Sequence, residues 1–306
     1  MLVLIFALFD TSRLSAEDRA LQYLIREVPR WSKENKCFSC HNNGDAARAL
    51  YTAIRLGRKV PDKALADTTR WLMKPEDWDH NAKDQKFSDK QLDRLQFGIT
   101  LIEAMDAGLL KDRRPLLKAA ALITAQQNQD GFWPIGGGGA LGSPTTHGDT
   151  LATVHARRVL KRADPAKYKQ AIRKADDWLR LRPAKTVLDA AAVLLALECA
   201  DDAGALKQRG TCLAVIRKGE AEKGGWGPYV NAAPEVFDTA LVVLALNRQA
   251  ETKEIESWRQ RGRAYLTRTQ LKDGSWPETT RPSGADSYAQ RISTTAWATQ
   301  ALLATH

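Results

Sequence analysis

Gln129-Asp130-Gly131-Phe132-Trp133-Pro134, Lys223-Gly224-Gly225-Trp226-Gly227-Pro228 and Lys272-Asp273-Gly274-Ser275-Trp276-Pro277 repeat one punctuation three times. Each places glycine just ahead of a tryptophan and sets a proline close behind it, which reads as a loop that buries a large ring between two regular elements. Trp226 and Trp276 are 50 residues apart and Trp133 and Trp226 are 93 apart, so one intervening unit has lost the signature. The period is therefore about 47 to 50 residues, the range of repeated supersecondary units.

A second register runs with the first. Asp45-Ala46-Ala47-Arg48, Asp93-Arg94-Leu95-Gln96, Asp149-Thr150-Leu151-Ala152, Asp189-Ala190-Ala191-Ala192, Asp238-Thr239-Ala240-Leu241 and Thr294-Thr295-Ala296-Trp297 each put a small polar or acidic residue before an apolar run. Asp and Thr suit the N-cap of a helix, where a side-chain oxygen takes an amide that the first turn leaves unpaired, and Gln96 three residues after Asp93 would complete a capping box. The runs behind them, such as 191–197 and 239–246, are apolar nearly all round, as buried helices are. Amphipathic segments with Lys and Arg alternate with them: Ala20 to Trp31, Lys63 to Leu72, Leu116 to Gln126, Tyr168 to Leu181, Ala205 to Arg217 and Glu256 to Thr269. Apolar helices inside and amphipathic helices outside predict an all-α fold, an α6/α6 toroid of about six helical hairpins over residues 16–306. An open solenoid satisfies the same local pattern, and six units favour closure.

The composition agrees with one large core: 306 residues, 43% of them hydrophobic. A formal charge of +10 raises the question of an anionic partner. The basic residues recur as short groups, Arg157-Arg158, Lys161-Arg162 and Arg259 to Arg263, in polar helical segments. That distribution reads as a solvated outer face, with a peripheral membrane surface as the next reading, and it contains no nucleic-acid recognition motif. Residues 1–15 hold an uninterrupted apolar run from Leu2 to Phe9, closed by Asp10 and Arg13. It is too short to span a bilayer and has the length of a secretory h-region without the basic segment before it, so a truncated signal and an exported protein are expected, with a cytoplasmic protein as the alternative.

The Gln/Lys-x-Asp-Gly-x-Trp loops resemble the QW motifs of squalene-hopene and oxidosqualene cyclases, and the hairpin count is similar to one toroid of the terpenoid cyclase and protein prenyltransferase β-subunit class. The resemblance covers roughly residues 16 to 306. It implies a central apolar cavity that takes an isoprenoid lipid, here with Phe97, His155, Phe237 and Trp297 near the inner face, aromatic rings being able to stabilise a cation through their π faces. His155, two turns after Asp149, reads as a core histidine or a base. The cyclases pair two such domains, whereas this chain has length for one. Their acid motif is D-x-D-D before a Thr-Ala helix, and the matching stretch is Glu235-Val236-Phe237-Asp238-Thr239-Ala240. Glu235 and Asp238 match the outer acids and are the candidate catalytic residues, but Phe237 stands where the proton donor belongs and a phenyl ring donates no proton. The resemblance thus implies an isoprenoid-binding toroid without the usual acid for cyclisation, its status as an enzyme left open. The prenyltransferase zinc site needs an Asp-x-Cys pair; none exists, and Cys199 and Cys212 read as small core residues.

Cys37-Phe38-Ser39-Cys40-His41 is the sharpest local motif. C-x-x-C-H attaches c-type haem, the thiols forming thioethers and the histidine an axial iron ligand; a zinc site and a purely structural role are the alternatives. The motif sits on the turn before the first inner helix. His80 and His147 occupy the corresponding turns of the next two units and are candidates for a further ligand. Met73 and Met105 read as core residues, and Trp133, Trp226 and Trp276 as buried loop braces.

Overall fold

The computed structural model describes residues 14–80, 90–135, 141–197, 200–281 and 284–305. Among them are twelve α-helices: α1 Ala16–Asn35, α2 Ala47–Arg55, α3 Asp62–Leu72, α4 Lys90–Asp106, α5 Arg114–Thr124, α6 Gly148–Ala163, α7 Lys169–Leu181, α8 Val187–Ala196, α9 Ala203–Gly219, α10 Val236–Leu246, α11 Lys253–Thr269 and α12 Tyr288–Ala304. A π-helical turn, Cys40–Ala46, leads into α2, and a 3-10 segment, Pro75–His80, follows α3.

The even-numbered helices pack in succession, α2 on α4, α4 on α6, α6 on α8, α8 on α10 and α10 on α12, and α12 returns to α2 and its π turn. The odd-numbered helices pack outside them. This is the double-walled toroid that the alternation predicts. Its cause is visible in two neighbours. Helix α10 buries ten of its eleven residues, having a wall on every side, whereas α7 buries only Ile172, Ala175 and Leu179, one stripe of an otherwise solvated helix.

The three Trp loops carry one construction. Each indole is fully buried. Its Nε1–H donates to the carbonyl ten residues earlier, near the end of the preceding outer helix: Trp133 to Ile123 at 2.7 Å, Trp226 to Ile216 at 2.8 Å, Trp276 to Leu266 at 2.7 Å. The Trp amide donates to a threonine of the next inner helix, Thr153, Thr239 or Thr295. The ring thus ties an outer helix to its inner partner by donating to a carbonyl near the end of the outer helix. The glycine two residues before the Trp ties the loop sideways. Gly131 and Gly274 are left-handed, and a Cβ there would stand 2.4 Å from the Lys174 carbonyl of α7 and 2.3 Å from the Arg19 carbonyl of α1. Gln127 and Gln270 lock the same contacts by donating to the carbonyls of Ala171 and Ala16, at 2.9 and 2.8 Å. The last loop therefore grips the first helix as the earlier loop grips α7, which closes the ring. In the middle repeat Glu220 stands in the glutamine position and pairs with Arg261 of α11 instead.

Some local expectations are corrected. The acidic residues that mark the inner helices are not their caps. Ser39 caps the π turn and Thr186 caps α8, each accepting from amides of the first turn. Asp189 lies three residues inside α8 and accepts from Thr150 at 2.6 Å, and Asp149 inside α6 takes the Ile135 amide at 3.0 Å. At α8 the Thr186 hydroxyl holds the helix end and leaves Asp189 available for a tertiary contact. Gln96 forms no capping box; its Nε2 donates to Asp45 at 2.9 Å. Met73 is not a core residue but 41% exposed. Leu2 to Phe9 and Cys199 lie outside the described residues. Among those described, no helix is long and apolar enough to cross a membrane.

Candidate functional site

The ring axis is polar. Asp45 in the π turn, Arg48 in the first turn of α2, His147 at the N-cap of α6, His155 two turns along α6 and Trp297 of α12 converge there, all nearly inaccessible to solvent. The Arg48 guanidinium lies 4.3 Å from the centre of the Trp297 ring, a cation–π contact. His155 stacks on the same indole at 5.9 Å and His147 meets it edge-on at 5.8 Å. Phe237 completes the surround, edge-on at 5.5 Å. Asp45 Oδ1 is 3.7 Å from Arg48 Nη2 and 3.9 Å from His147 Nε2, beyond hydrogen-bond length. Burial pushes the Asp45 carboxyl up to about 6 against the pull of Arg48, and burial holds both histidines well below their ordinary range, the Arg48 charge adding to it. His147 and His155 are neutral at pH 7.

Two signs of stored cost mark this cluster. His147 takes a left-handed φ of 54°, rare for a residue with a Cβ. It is held there by its amide bond to the Ser143 carbonyl at 2.8 Å and by Gly142, where a Cβ would meet the His147 carbonyl at 2.2 Å. Nε and Nη2 of Arg48, both ring nitrogens of His147, Nδ1 of His155 and Nε1 of Trp297 have no hydrogen-bond partner within the protein.

A cavity of about 550 Å³ opens at the C-terminal halves of α4, α6 and α8, and His155 lies in its lining. One wall is apolar, Ile102, Val154, Leu195 and Ala196; the rim carries Arg157, Arg158, Lys161, Arg162 and Arg248 against the single carboxylate Asp106. Carboxylates hold several of these arginines in place: Glu103 accepts from Arg158 at 2.7 Å, Asp106 from Arg162 at 3.1 Å, and Asp176 pairs with Arg157. A pocket of about 90 Å³ lies at the other ends of the inner helices, lined by His147, Asp189, Arg182 and Tyr229. His155 faces the larger cavity and His147 the smaller pocket, so the pair, 5.2 Å apart, lies between the two openings. The expected apolar centre is thus corrected: Leu and Val of the inner helices pack between walls, and the axis receives charged and imidazole side chains. Phe97 does not reach the axis but packs on Trp78 at 5.4 Å and Trp71 at 5.9 Å in the outer layer.

Glu235 and Asp238 are ion-paired. Arg281 holds Asp238 with two bonds, at 3.0 and 2.8 Å, and Glu235 at 2.6 Å, and its Nε donates to the Gly142 carbonyl. Burial raises the Asp238 carboxyl to about 7 while Arg281 opposes the rise. Both carboxylates are committed to one guanidinium, which suits bracing better than proton delivery. Phe237, between them, is fully buried against Trp297.

Cys37 and Cys40 are free thiols, half-buried. His41 is turned inward, Nδ1 3.1 Å from the Ser293 hydroxyl of α12 and Nε2 3.6 Å from Cys40 Sγ, and burial depresses its pKa to about 4. Asp45 bonds the same serine, so His41 borders the axis cluster beside His147. His80 lies elsewhere, beside Asp79. Among the described residues, no three His, Cys, Asp or Glu side chains are grouped as a metal ion would need.

No protein-family model and no curated protein sequence matches the chain. Its structure does match solved ones. The type II terpene cyclase MstE from Scytonema superposes with a TM-score of 0.62 at 13% identity, over 95% of this chain and 98% of that one. A variant of that cyclase in complex with geranylgeranyl dihydroxybenzoate gives 0.62 at 12%, over 95% and 97%. The ent-copalyl diphosphate synthase from Streptomyces platensis gives 0.57 at 18%, over 84% of this chain and half of that one. The chain has the terpene cyclase-like α/α-toroid fold.

Within that toroid the residues that sequence reasoning missed are Asp45, Arg48, Gln96 and Arg281. Asp45 to Arg48 and Gln96 belong to the very marks that count the inner helices; the available signal was an arginine three residues after an aspartate at the start of a helix that must be buried, a position where a fixed charge is costly. Arg281 lies in a loop 43 residues after Asp238 and carries no local signal.

Proposed function

We propose that this toroid binds an anionic amphiphile with a polyprenyl chain in the 550 Å³ cavity, and that Glu235 and Asp238 do not start a cyclisation there. The observation that carries the reading is the pairing of an apolar wall, Ile102, Val154, Leu195 and Ala196, with a cationic rim in one opening of the ring. Its volume is in the range of small-molecule sites, and its two surfaces suit the two ends of such a molecule. The structural neighbours support the ligand class: one holds geranylgeranyl dihydroxybenzoate, a prenyl chain on an acidic head, and another is named for a diphosphate. Calorimetric titration with geranylgeranyl diphosphate, geranylgeraniol and isopentenyl diphosphate tests it. The long-chain diphosphate should bind tightest, and Val154→Trp, which fills the apolar wall, should weaken it by about tenfold or more, the loss of a buried apolar contact area worth at least 1.4 kcal/mol. Equal binding of all three compounds, or an unchanged affinity in Val154→Trp, would reject the reading.

A second reading places c-type haem on Cys37 and Cys40 of an exported protein. What favours it is a groove of about 640 Å³ next to the motif, lined by Phe38, Trp71 and Met73 with Arg70 and Lys74 at its edge. The thiols would add across the two vinyl groups, and His41 would leave Ser293 to ligate the iron. Expression with a cytochrome c maturation system should then give a covalent Soret band that Cys40→Ser removes; a colourless protein rejects this reading.

A further inference from the structure

The prenyl reading uses the apolar wall and the rim, and leaves the cluster on the axis unexplained. Arg48, His147, His155 and Trp297 come from three inner helices and are 4, 4, 6 and 2% exposed. The arginine, the stacked His155 and the edge-on His147 all lie within 6 Å of the Trp297 ring. The cluster is rich in donors and poor in acceptors. Arg48 Nε and Nη2 and Trp297 Nε1 can only donate, and each neutral imidazole donates from one nitrogen. Those Arg48 and Trp297 atoms, both ring nitrogens of His147 and Nδ1 of His155 have no hydrogen-bond partner within the protein. The nearest carboxylate, Asp45, is out of hydrogen-bond range of Arg48 and His147 through Oδ1 and is occupied by Gln96 at Oδ2.

Buried donors are paired in folded proteins almost without exception, because an unpaired one has lost its water for nothing. Here several unpaired donors lie around one indole, beside a histidine held at a strained positive φ, a combination that marks functional positions. A guanidinium that cannot lose its proton, with two adjacent N–H groups facing no partner, matches a planar or tetrahedral oxyanion. Asp45 and Glu103 are the carboxylates that would face such an anion. Glu103 already accepts from Arg158, and burial raises the Asp45 carboxyl towards its neutral form.

We infer that Arg48, His147, His155 and Trp297 form a binding site for a carboxylate or phosphate group, reached from the 550 Å³ cavity past His155. The inference stands on burial and on unpaired donors packed around one indole, and does not depend on the prenyl chain. The anion is either free or the head of an amphiphile, and both present the same oxygens.

The test reads the indole N–H of Trp297 in a proton–nitrogen correlation spectrum, assigned by its disappearance in Trp297→Phe. Titration with inorganic phosphate and with benzoate, at constant ionic strength set by chloride, should move that resonance saturably downfield as the N–H gains an acceptor. Geranylgeranyl diphosphate should move it at a concentration about tenfold lower or less if the amphiphile supplies the anion, and only the free anions should move it if it does not; geranylgeraniol should leave it in place in either case. Arg48→Met keeps the side chain's bulk and removes the charge, and should weaken the shift by about 10- to 100-fold, as loss of a charge-assisted hydrogen bond does. His155→Phe, which keeps a ring on Trp297, should weaken it less. If Arg48→Met fails to fold, the wild-type and His155→Phe titrations decide. Absence of a saturable shift with every anion, as a cluster satisfied by water alone would give, or an equal shift in Arg48→Met, overturns the inference.

Discussion

Trp276→Ala strikes the ring where it closes. The Trp276 indole is fully buried, donates to the Leu266 carbonyl at 2.7 Å and has its amide bonded to Thr295. Truncating a buried aromatic costs about 3–5 kcal/mol in lost transfer energy and cavity. The Leu266 carbonyl loses its main donor, and since the Thr269 hydroxyl at 3.3 Å remains, that adds about 1 kcal/mol, the low end for an orphaned acceptor. The total of about 4–6 kcal/mol is comparable with the whole stability of many folded proteins. In urea unfolding at 25 °C, with a slope of about 2 kcal/mol/M, the midpoint should fall by about 2–3 M. Trp276→Phe keeps most of the apolar ring and should cost about 1–3 kcal/mol, about 1 of it the hydrogen bond and the rest the smaller ring. Leu181→Ser, at a position 84% exposed, should change stability by less than about 0.5 kcal/mol. A Trp276→Ala protein that unfolds within about 1 kcal/mol of the native one would refute the bracing argument.

Arg281→Met leaves Asp238 buried without its partner and should destabilise by about 3–5 kcal/mol, measured by the same unfolding curve; a neutral outcome would mean that the pair does not brace the loop. Acid should weaken the fold through His41. Its folded pKa of about 4 lies below the ordinary 6.5, so between those values the unfolded chain holds a proton that the folded one excludes, and stability is full above about 6.5 and falls as pH drops towards 4. In His41→Gln the melting temperature should fall less between pH 7 and pH 5 than in the parent, and an unchanged acid slope would remove His41 from the account. If the proposal that Glu235 and Asp238 start no cyclisation holds, incubation of the purified chain with squalene should give no cyclic hydrocarbon, by gas chromatography of the extract; hopene at multiple turnovers would contradict this.

The fold was legible because a toroid is written in repeats. Three Gly-x-Trp loops and six polar marks before apolar runs are local signals, and each reports a helix crossing of the same kind. The bonds that make the loops work were only half legible. The Trp was evident, but the glutamine four residues before the glycine matters only through carbonyls on the next outer helix, and Gln127 and Gln270 reveal that role only once α7 and α1 are seen beside them. The site was less legible still. Asp45 and Asp238 carry the residue type of a cap, and what they do instead is decided by Gln96 and Arg281, which lie 51 and 43 residues away. Resemblance drew attention to an acid motif that Arg281 neutralises and to an apolar centre that Arg48 and two histidines fill. Phe97 was misplaced for a simple reason: a helix buried on all sides has no hydrophobic stripe, so periodicity cannot say which side faces the axis.

The central claim is that one opening of this ring receives the chain and acidic head of a prenyl anion. A crystal structure of the purified chain with geranylgeranyl diphosphate tests it most directly. The account predicts density for the chain along Ile102, Val154 and Leu195, with the phosphate oxygens at the rim arginines or, past His155, at Arg48. Density confined to the outer wall of the ring, or a cavity containing only solvent at saturating ligand, would contradict it.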